Sequence, residues 1–320
     1  MNVIQELRQR SLITGKVTLK RLSGGYINTV YRVNSKAQDY VIKIYHELAQ
    51  KANIRASKER VAYEAHALNI IEKLVKESPT PHVIFNNKKI ICMTAAPRNA
   101  TNYNDDLLKG KINLLVPKLL AKFSAELHSS TYHNAALKKE FFHNPGYFDL
   151  RYKPSLETPA QKNPKIRQAL QQVYKRNFIN RICLIHADTT PKNVLVSGDE
   201  ITVLDFEMAI YGDPAHDVGI TLAHFILPGF KHKKKIKIYI QCARIFYSTY
   251  ISEVTFPIPD NFLTNVKNNI AAMMLGRIDG VVEIDYLKEH RERIRDVVVL
   301  LLKNNFSSID DVLYFIESSL

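Results

Sequence analysis

Between residues 186 and 207 the chain reads HADTTPKNVLVSGDEITVLDFE, which sets His186, Asp188, Asn193, Asp205 and Glu207 around two short apolar runs, Val194-Leu195-Val196 and Ile201-Thr202-Val203-Leu204. Phosphoryl transfer from a nucleotide asks little covalent chemistry of a protein. It needs hard ligands for the cations that hold the polyphosphate, a positive group to position it, and a carboxylate to orient the attacking hydroxyl. Asp188 can accept a hydrogen bond from that hydroxyl, Asn193 offers an amide oxygen, and Asp205 offers a carboxylate of the type Mg²⁺ prefers. A hairpin turning through Ser197-Gly198-Asp199 would bring Asn193 and Asp205 together at its open end.

The other half of such a site lies earlier in the chain. Leu22-Ser23-Gly24-Gly25-Tyr26-Ile27-Asn28 falls between two strand-like runs, where Gly24 and Gly25 let backbone approach phosphates. Lys43 sits mid-strand between Ile42 and Ile44, and Glu64 lies on the helix that follows. A strand lysine usually points to solvent, and a helix glutamate usually decorates a surface. The order glycine loop, strand Lys, helix Glu, then Asp, Asn and Asp makes those ordinary readings require several coincidences.

The elements that must carry these residues are legible in outline. Val17, Leu19, Val30, Tyr31, Val33, Tyr40, Val41, Ile42 and Ile44 alternate as in strands, with Asn34-Ser35 as a turn, and predict a three-stranded antiparallel start. Val61, Ala65, Leu68, Ile71 and Val75 recur at helical spacing and predict a helix over 57–76 carrying Glu64. HVIFNNKKIICMT reads as a hairpin turning at Asn86-Asn87. After Pro97 the pattern turns helical, with a start near Pro117 and further helices over 218–225, 236–252, 262–275, 290–303 and 309–316, while strands return only around 183–204.

Bulk properties narrow the class. A 320-residue chain with 46% hydrophobic residues can bury a substantial core, and no run approaches the roughly 18 apolar residues of a membrane span. The polar start, 1–10, does not read as a secretory segment, so a cytoplasmic protein without a membrane partner is expected. Cys92, Cys183 and Cys242 are widely spaced in apolar surroundings and read as reduced core residues. The net charge of +14 admits a nucleic-acid partner, but no zinc-finger spacing or aromatic-basic pattern favours one. The basic run FKHKKKIKIY reads as the solvated start of an amphipathic helix.

On these motifs the sequence resembles the aminoglycoside phosphotransferase and choline kinase superfamily, the small-molecule kinases of the protein-kinase-like fold. LSGGYINTVYRV is similar to its phosphate-loop strand pair, VIKIY to its lysine strand, HADTTPKNVLV to its catalytic loop and LDFEMAIYGDPAHDVGITLAHF to its metal-binding segment. The resemblance implies an α+β, bilobal fold: a small antiparallel-sheet lobe over 1–97 that binds nucleotide, and a larger, mainly helical lobe over 98–320 that carries the catalytic and acceptor-binding groups. It implies ATP and Mg²⁺ as cofactors, with Asp188, Asn193 and Asp205 catalytic, Asn193 and Asp205 as metal ligands, and Lys43 on the α/β phosphates held by Glu64. Gly24, Gly25 and Asn28 belong to the phosphate loop, and Met93 to a stretch from Cys92 to Ala95 whose backbone would bind the base. Glu207 is open to two readings, a metal ligand or a group behind one. His186 and Asp217 would support the catalytic loop.

Departures matter as well. Ala187 stands where a glycine is most common, a change expected to be tolerated. Thr190 stands two residues after Asp188, where protein kinases carry lysine, and no Ala-Pro-Glu signature follows Asp205, which disfavours a protein substrate. For the acceptor, Arg151, His224 and Arg277 are candidates; Arg151 and Arg277 would pair with an anion, while Asp279, Glu283 and Asp285 would suit a cation. The basic balance weighs against a polycationic aminoglycoside and leaves choline open, so a neutral or anionic metabolite hydroxyl, such as that of a sugar or nucleoside-derived alcohol, is the expectation. A nucleotide-binding pseudokinase is the alternative.

Overall fold

The computed structural model describes residues 3–22, 27–36, 38–48, 54–282 and 284–319. Gly24, Gly25 and Glu283 lie outside the described residues. The chain begins with helix α1 (Val3–Gln9), then strands β1 (Thr18–Leu22), β2 (Thr29–Asn34) and β3 (Tyr40–Ile44), helix α2 (Arg60–Leu74), and strands β4 (Val83–Asn86) and β5 (Ile90–Thr94). The five strands form one antiparallel sheet in the order β1-β2-β3-β5-β4. The β-β-β-α-β-β order is the one the alternation and helical spacing predict. Helix α1 was not legible, because its seven residues have too few apolar positions to show a period.

Strand alternation decides what each face does. Val33, Tyr40, Ile42, Phe85 and Cys92 share one face, which α1 covers with Leu7. Val41, Ile91 and Met93 face the other way, into the cluster formed by Val61, Ala65 and Leu68 of α2. Lys43 lies one residue out of phase with Ile42 and Ile44, so it shares the α2 side with Val41. A lysine there is buried by register, at 6% exposure.

Past β5 a short strand β6 (Thr101–Asn102), helix α3 (Tyr103–Leu108) and helix α4 (Leu115–Ser130) lead into the helical part. Its short strands are β7 (Cys183–Ile185), β8 (Val194–Ser197), β9 (Glu200–Val203) and β10 (Ile210–Gly212); β7 pairs with β10, and β6, β8 and β9 form a three-stranded sheet. Two helices form the centre, Pro214–Ile226 and Phe262–Asp279. Both are buried nearly all round, the second with Asn265, Lys267 and Asn269 among its buried residues. Gly219 lets them approach: a Cβ there would lie 2.8 Å from the Val266 carbonyl oxygen. Of the basic run, Lys231 donates to the carbonyl of Leu108, the last residue of α3, and Lys235 to the Gly110 carbonyl just past it, while Lys233 and Lys234 are exposed. All three cysteines are buried and unpaired by disulfides.

The stretch that leaves the first sheet is tied back to it. Arg98 donates through Nε and Nη2 to the two oxygens of Asp39, both at 2.7 Å, while Arg32 donates to Asp39 at 2.9 Å and to the Ala96 carbonyl at 2.8 Å. The Arg98 guanidinium, with Arg32 beside it, holds the Asp39 carboxyl well below the usual range against the opposing effect of burial. A depressed acid stabilises the fold above its ordinary pKa and loses that contribution as pH falls. The thermal midpoints of the parent and Asp39→Asn are therefore expected to differ at neutral pH and to converge as pH falls from about 4 downward. Equal midpoints at neutral pH would deny this tie any role in stability.

Candidate active site

The hairpin anticipated between Asn193 and Asp205 is present. Val194 pairs with Val203 and Ser197 with Glu200, and the turn passes through Gly198 at φ 60°. The Leu204 amide donates to the Asn193 carbonyl at 2.8 Å, which carries the ladder one step past the strands and delivers Asp205 beside Asn193. Asp205 itself is left-handed, at φ 73° and ψ 60°. For a non-glycine residue that conformation is strained, and such strain tends to gather at functional sites.

The segment after Asp205 is fixed from behind. Asn144 donates its side-chain amide to the Glu207 and Ala209 carbonyls at 3.0 and 2.8 Å, and a Cβ on Gly146 would lie 2.6 Å from the Glu207 carbonyl oxygen. Asp205 and Glu207 then face the first sheet, where Lys43 Nζ donates to Glu64 Oε2 at 2.7 Å, ion-pairs with Asp205, and lies 3.5 Å from Glu207. Burial alone would lower the lysine's pKa; Asp205, Glu207 and Glu64 around it instead raise it well above its usual value. Glu64 also accepts from the Tyr45 hydroxyl, and burial pushes its carboxyl upward.

Arg60 was not singled out by the sequence, yet it is fully buried and organises this cluster. Its Nε donates to Glu207 at 3.0 Å and its Nη2 to Asn28 at 2.7 Å, while Asn28 donates to Glu207 at 2.8 Å. Arg60 stands four residues before Glu64, on the same helix face, and that spacing was the available signal. Glu207 is thus held by Arg60, Asn28 and the fringe of Lys43.

Three carboxylates and two cations leave one acid in excess. The ligand oxygens of Glu64, Asp205 and Glu207 all lie within 4.8 Å of one another. Carboxylate and amide oxygens are donors for a hard divalent cation, so the residues present fit one. Asn193 donates its amide nitrogen to the Asp188 carbonyl and to Asp188 Oδ2, both at 3.0 Å. An amide so anchored directs its oxygen away from Asp188.

The catalytic-loop residues follow the same logic. His186 Nε2 donates to the Leu204 carbonyl at 2.9 Å, and its Nδ1 accepts from the Asp188 amide at 3.2 Å. Asp217 accepts from the His186 and Ala187 amides, both at 2.8 Å, and lies 3.3 Å from His128 Nε2. Burial would raise the Asp217 carboxyl, but His128 and the other imidazoles around it hold it down, to about 2. Ala187 has φ 66°, which explains why glycine is favoured at that position. The left-handed backbone costs an alanine roughly 1–2 kcal/mol. Asp217 on its amide and Arg151 on its carbonyl offset that cost.

The remaining sequence-predicted residues divide. Met93 lies inside β5 between Val41 and Val83, so its backbone belongs to the sheet, and the Ala95 amide donates to the Asp39 carbonyl. Within the expected base-binding stretch, the backbone of Cys92 and Met93 and the Ala95 amide are thus engaged by the protein itself. Arg151 is 2% exposed and ion-paired with Asp188. His224 Nδ1 donates to the Ile220 carbonyl at 2.8 Å, and its Nε2 accepts from Arg277 Nε at 2.9 Å. Burial, then the charges of Arg277, Arg151 and Lys192, push the His224 pKa well below its usual value, so the ring is neutral. Asp279 is engaged by Arg295 and Asn163.

A family model described as the phosphotransferase enzyme family matches residues 18–230, more than half of the chain. A search of curated proteins found no match. Among solved structures, the chain is similar to choline kinase from Cryptosporidium parvum (TM-score 0.57, 13% identity, covering 99% of this chain and 98% of that one). It is also similar to a choline/ethanolamine kinase family protein from Mesorhizobium loti (TM-score 0.55, 14% identity, 98% and 99% covered). A third is the amicoumacin kinase hAmiN in complex with AMP-PNP, Ca²⁺ and Ami (TM-score 0.52, 12% identity, 100% and 93% covered). At these identities the likeness speaks for the fold, which is the bilobal, protein-kinase-like one. With the family model spanning the lysine strand, the catalytic loop and the segment after Asp205, the chain belongs to the phosphotransferase enzyme family.

Proposed function

We propose that this phosphotransferase, an ATP-dependent enzyme acting on a hydroxyl group, takes a neutral or anionic small metabolite as its acceptor. ATP lies between a lobe over 1–97 and a lobe over 98–320. The observation that carries the reading is the Lys43 ammonium held by Glu64 and Asp205 beside a loop that presents Asp188 and Asn193 together. Lys43 positions the α/β phosphates, and Asp188 orients the acceptor hydroxyl. The acceptor oxygen bonds to the γ-phosphorus as the bond to the β,γ-bridging oxygen breaks; ADP departs, and Asp188 accepts the hydroxyl proton. Asn193 and Asp205 would hold Mg²⁺, which supplies charge neutralisation on the phosphates. Glu207 reads better as the anchor of Arg60 and Asn28 than as a metal ligand, because its Oε2 already accepts from both, with the Lys43 ammonium 3.5 Å away.

For the acceptor, the charges on the helical side carry the preference. Arg277 donates to His224 Nε2 at 2.9 Å, the charge of Lys192 bears on the same ring, and the chain as a whole carries a net charge of +14. Among the described residues the nearby acids are engaged: Asp149 by the Ser57 amide and Lys153, Asp279 by Arg295. A positive field slows the arrival of a cationic acceptor. ATP consumption with Mg²⁺ is expected to rise with sugars, nucleosides or sugar acids, and not with choline, ethanolamine or an aminoglycoside. Stimulation by the cationic compounds alone would overturn the acceptor class.

Asp188→Asn is expected to cut turnover by about a hundredfold or more while ATP binding, followed by titration, is retained. Normal turnover in that variant would remove Asp188 from its role. Lys43→Met leaves the acid cluster without its ammonium and is expected to lower stability by roughly 3–5 kcal/mol. Added Mg²⁺ is expected to raise its melting temperature more than the parent's; an equal rise would count against a cation site at Asp205.

A further inference from the structure

We propose that Arg151 is a positioning residue that fixes both the carboxylate of Asp188 and the strained peptide before it. The sequence offers Arg151 as a group for an anionic acceptor, but the side chain is buried and turned inward. It comes from a helical stretch, Phe148–Glu157, interrupted by Pro154. Its Nη2 donates to Asp188 Oδ1, its Nε to the Ala187 carbonyl at 3.1 Å, and its Nη1 lies 3.7 Å from the Met273 sulfur. No second carboxylate pairs with it among the described residues.

Asp188 is therefore gripped on both sides, Oδ1 by Arg151 and Oδ2 by the Asn193 amide at 3.0 Å. Each oxygen keeps a lone pair for a hydroxyl donor, while rotation of the carboxylate is blocked. The side chain is 14% exposed, enough for one face to meet an acceptor. The same guanidinium holds the carbonyl of left-handed Ala187 while Asp217 holds its amide, so both ends of the strained unit are fixed. The residue two after Asp188 is Thr190, which carries no charge, so the cation beside Asp188 arrives from 37 residues upstream. A planar fork can bridge the carboxylate and the carbonyl at once; an ammonium cannot match that geometry.

This inference rests on the Asp188 reading above. It is tested on the full chain by ATP hydrolysis with Mg²⁺, water serving as the acceptor, together with ATP titration and thermal melting. Arg151→Met is expected to lower kcat about a hundredfold, the loss that a misplacement of about 1 Å brings, with KM for ATP unchanged. Arg151→Lys, which keeps the charge, is expected to recover part of that loss. Arg151→Ala is expected to regain turnover when guanidinium is added, at a temperature where melting shows it folded. Parent-like kcat in both the Met and Lys variants would overturn the proposal. So would a fall in ATP affinity that matches the fall in turnover, because it would mark a general structural defect. Asp188→Asn separates the two levels: its normal turnover would sink the Asp188 reading itself, whereas an inactive Asp188→Asn beside active Arg151 variants would sink only this one.

Discussion

One buried ammonium organises this molecule. Lys43 is placed by strand alternation on the inner side of the first sheet, and once there it requires counter-charge, because an isolated buried cation is too costly to keep. Glu64 comes from the helix that packs on the same side, and Asp205 from the far end of the β8–β9 hairpin. The two parts of the chain therefore meet through electrostatics as well as through apolar packing. Arg60 extends the same arrangement to Asn28 and Glu207, so that residues 28, 43, 60, 64, 205 and 207 form one charged network.

Much of the frame was legible from local pattern. The alternation over 40–44, the helical spacing of Val61, Ala65 and Leu68, and the hairpin between Asn193 and Asp205 are local features, and each appears in the structure. The contacts that tune the site were not legible, because their partners lie far apart in the chain. Arg60 meets Glu207 across 147 residues, Arg98 meets Asp39 across 59, and Arg151 meets Asp188 across 37. Only fold geometry brings such pairs together. For Arg151 the sequence offered an anionic acceptor as partner, and the structure pairs it with Asp188.

Strain and support alternate along the catalytic segment. Ala187 and Asp205 are both left-handed without being glycine; the first directly precedes Asp188, and the second carries the carboxylate that pairs with Lys43. Each is also over-determined by neighbours: Asp217 and Arg151 hold the first, Lys43 the second. Strain persists only where surrounding contacts exceed its cost, so these positions mark where the fold spends interactions on shape.

The small helix at residues 3–9 has a consequence for handling the protein. It is the cover of an apolar sheet face, with Leu7 fully buried against a cluster that includes Val33, Ile42, Phe85 and Cys92. Without it that face would be bare, next to an outer strand, β1, whose far side has no strand partner among the described residues. Such a surface invites association between copies. Trimming the first dozen residues would then produce a chain whose nucleotide site is intact but whose solubility is not, a fault in colloidal behaviour that would look in an assay like lost activity.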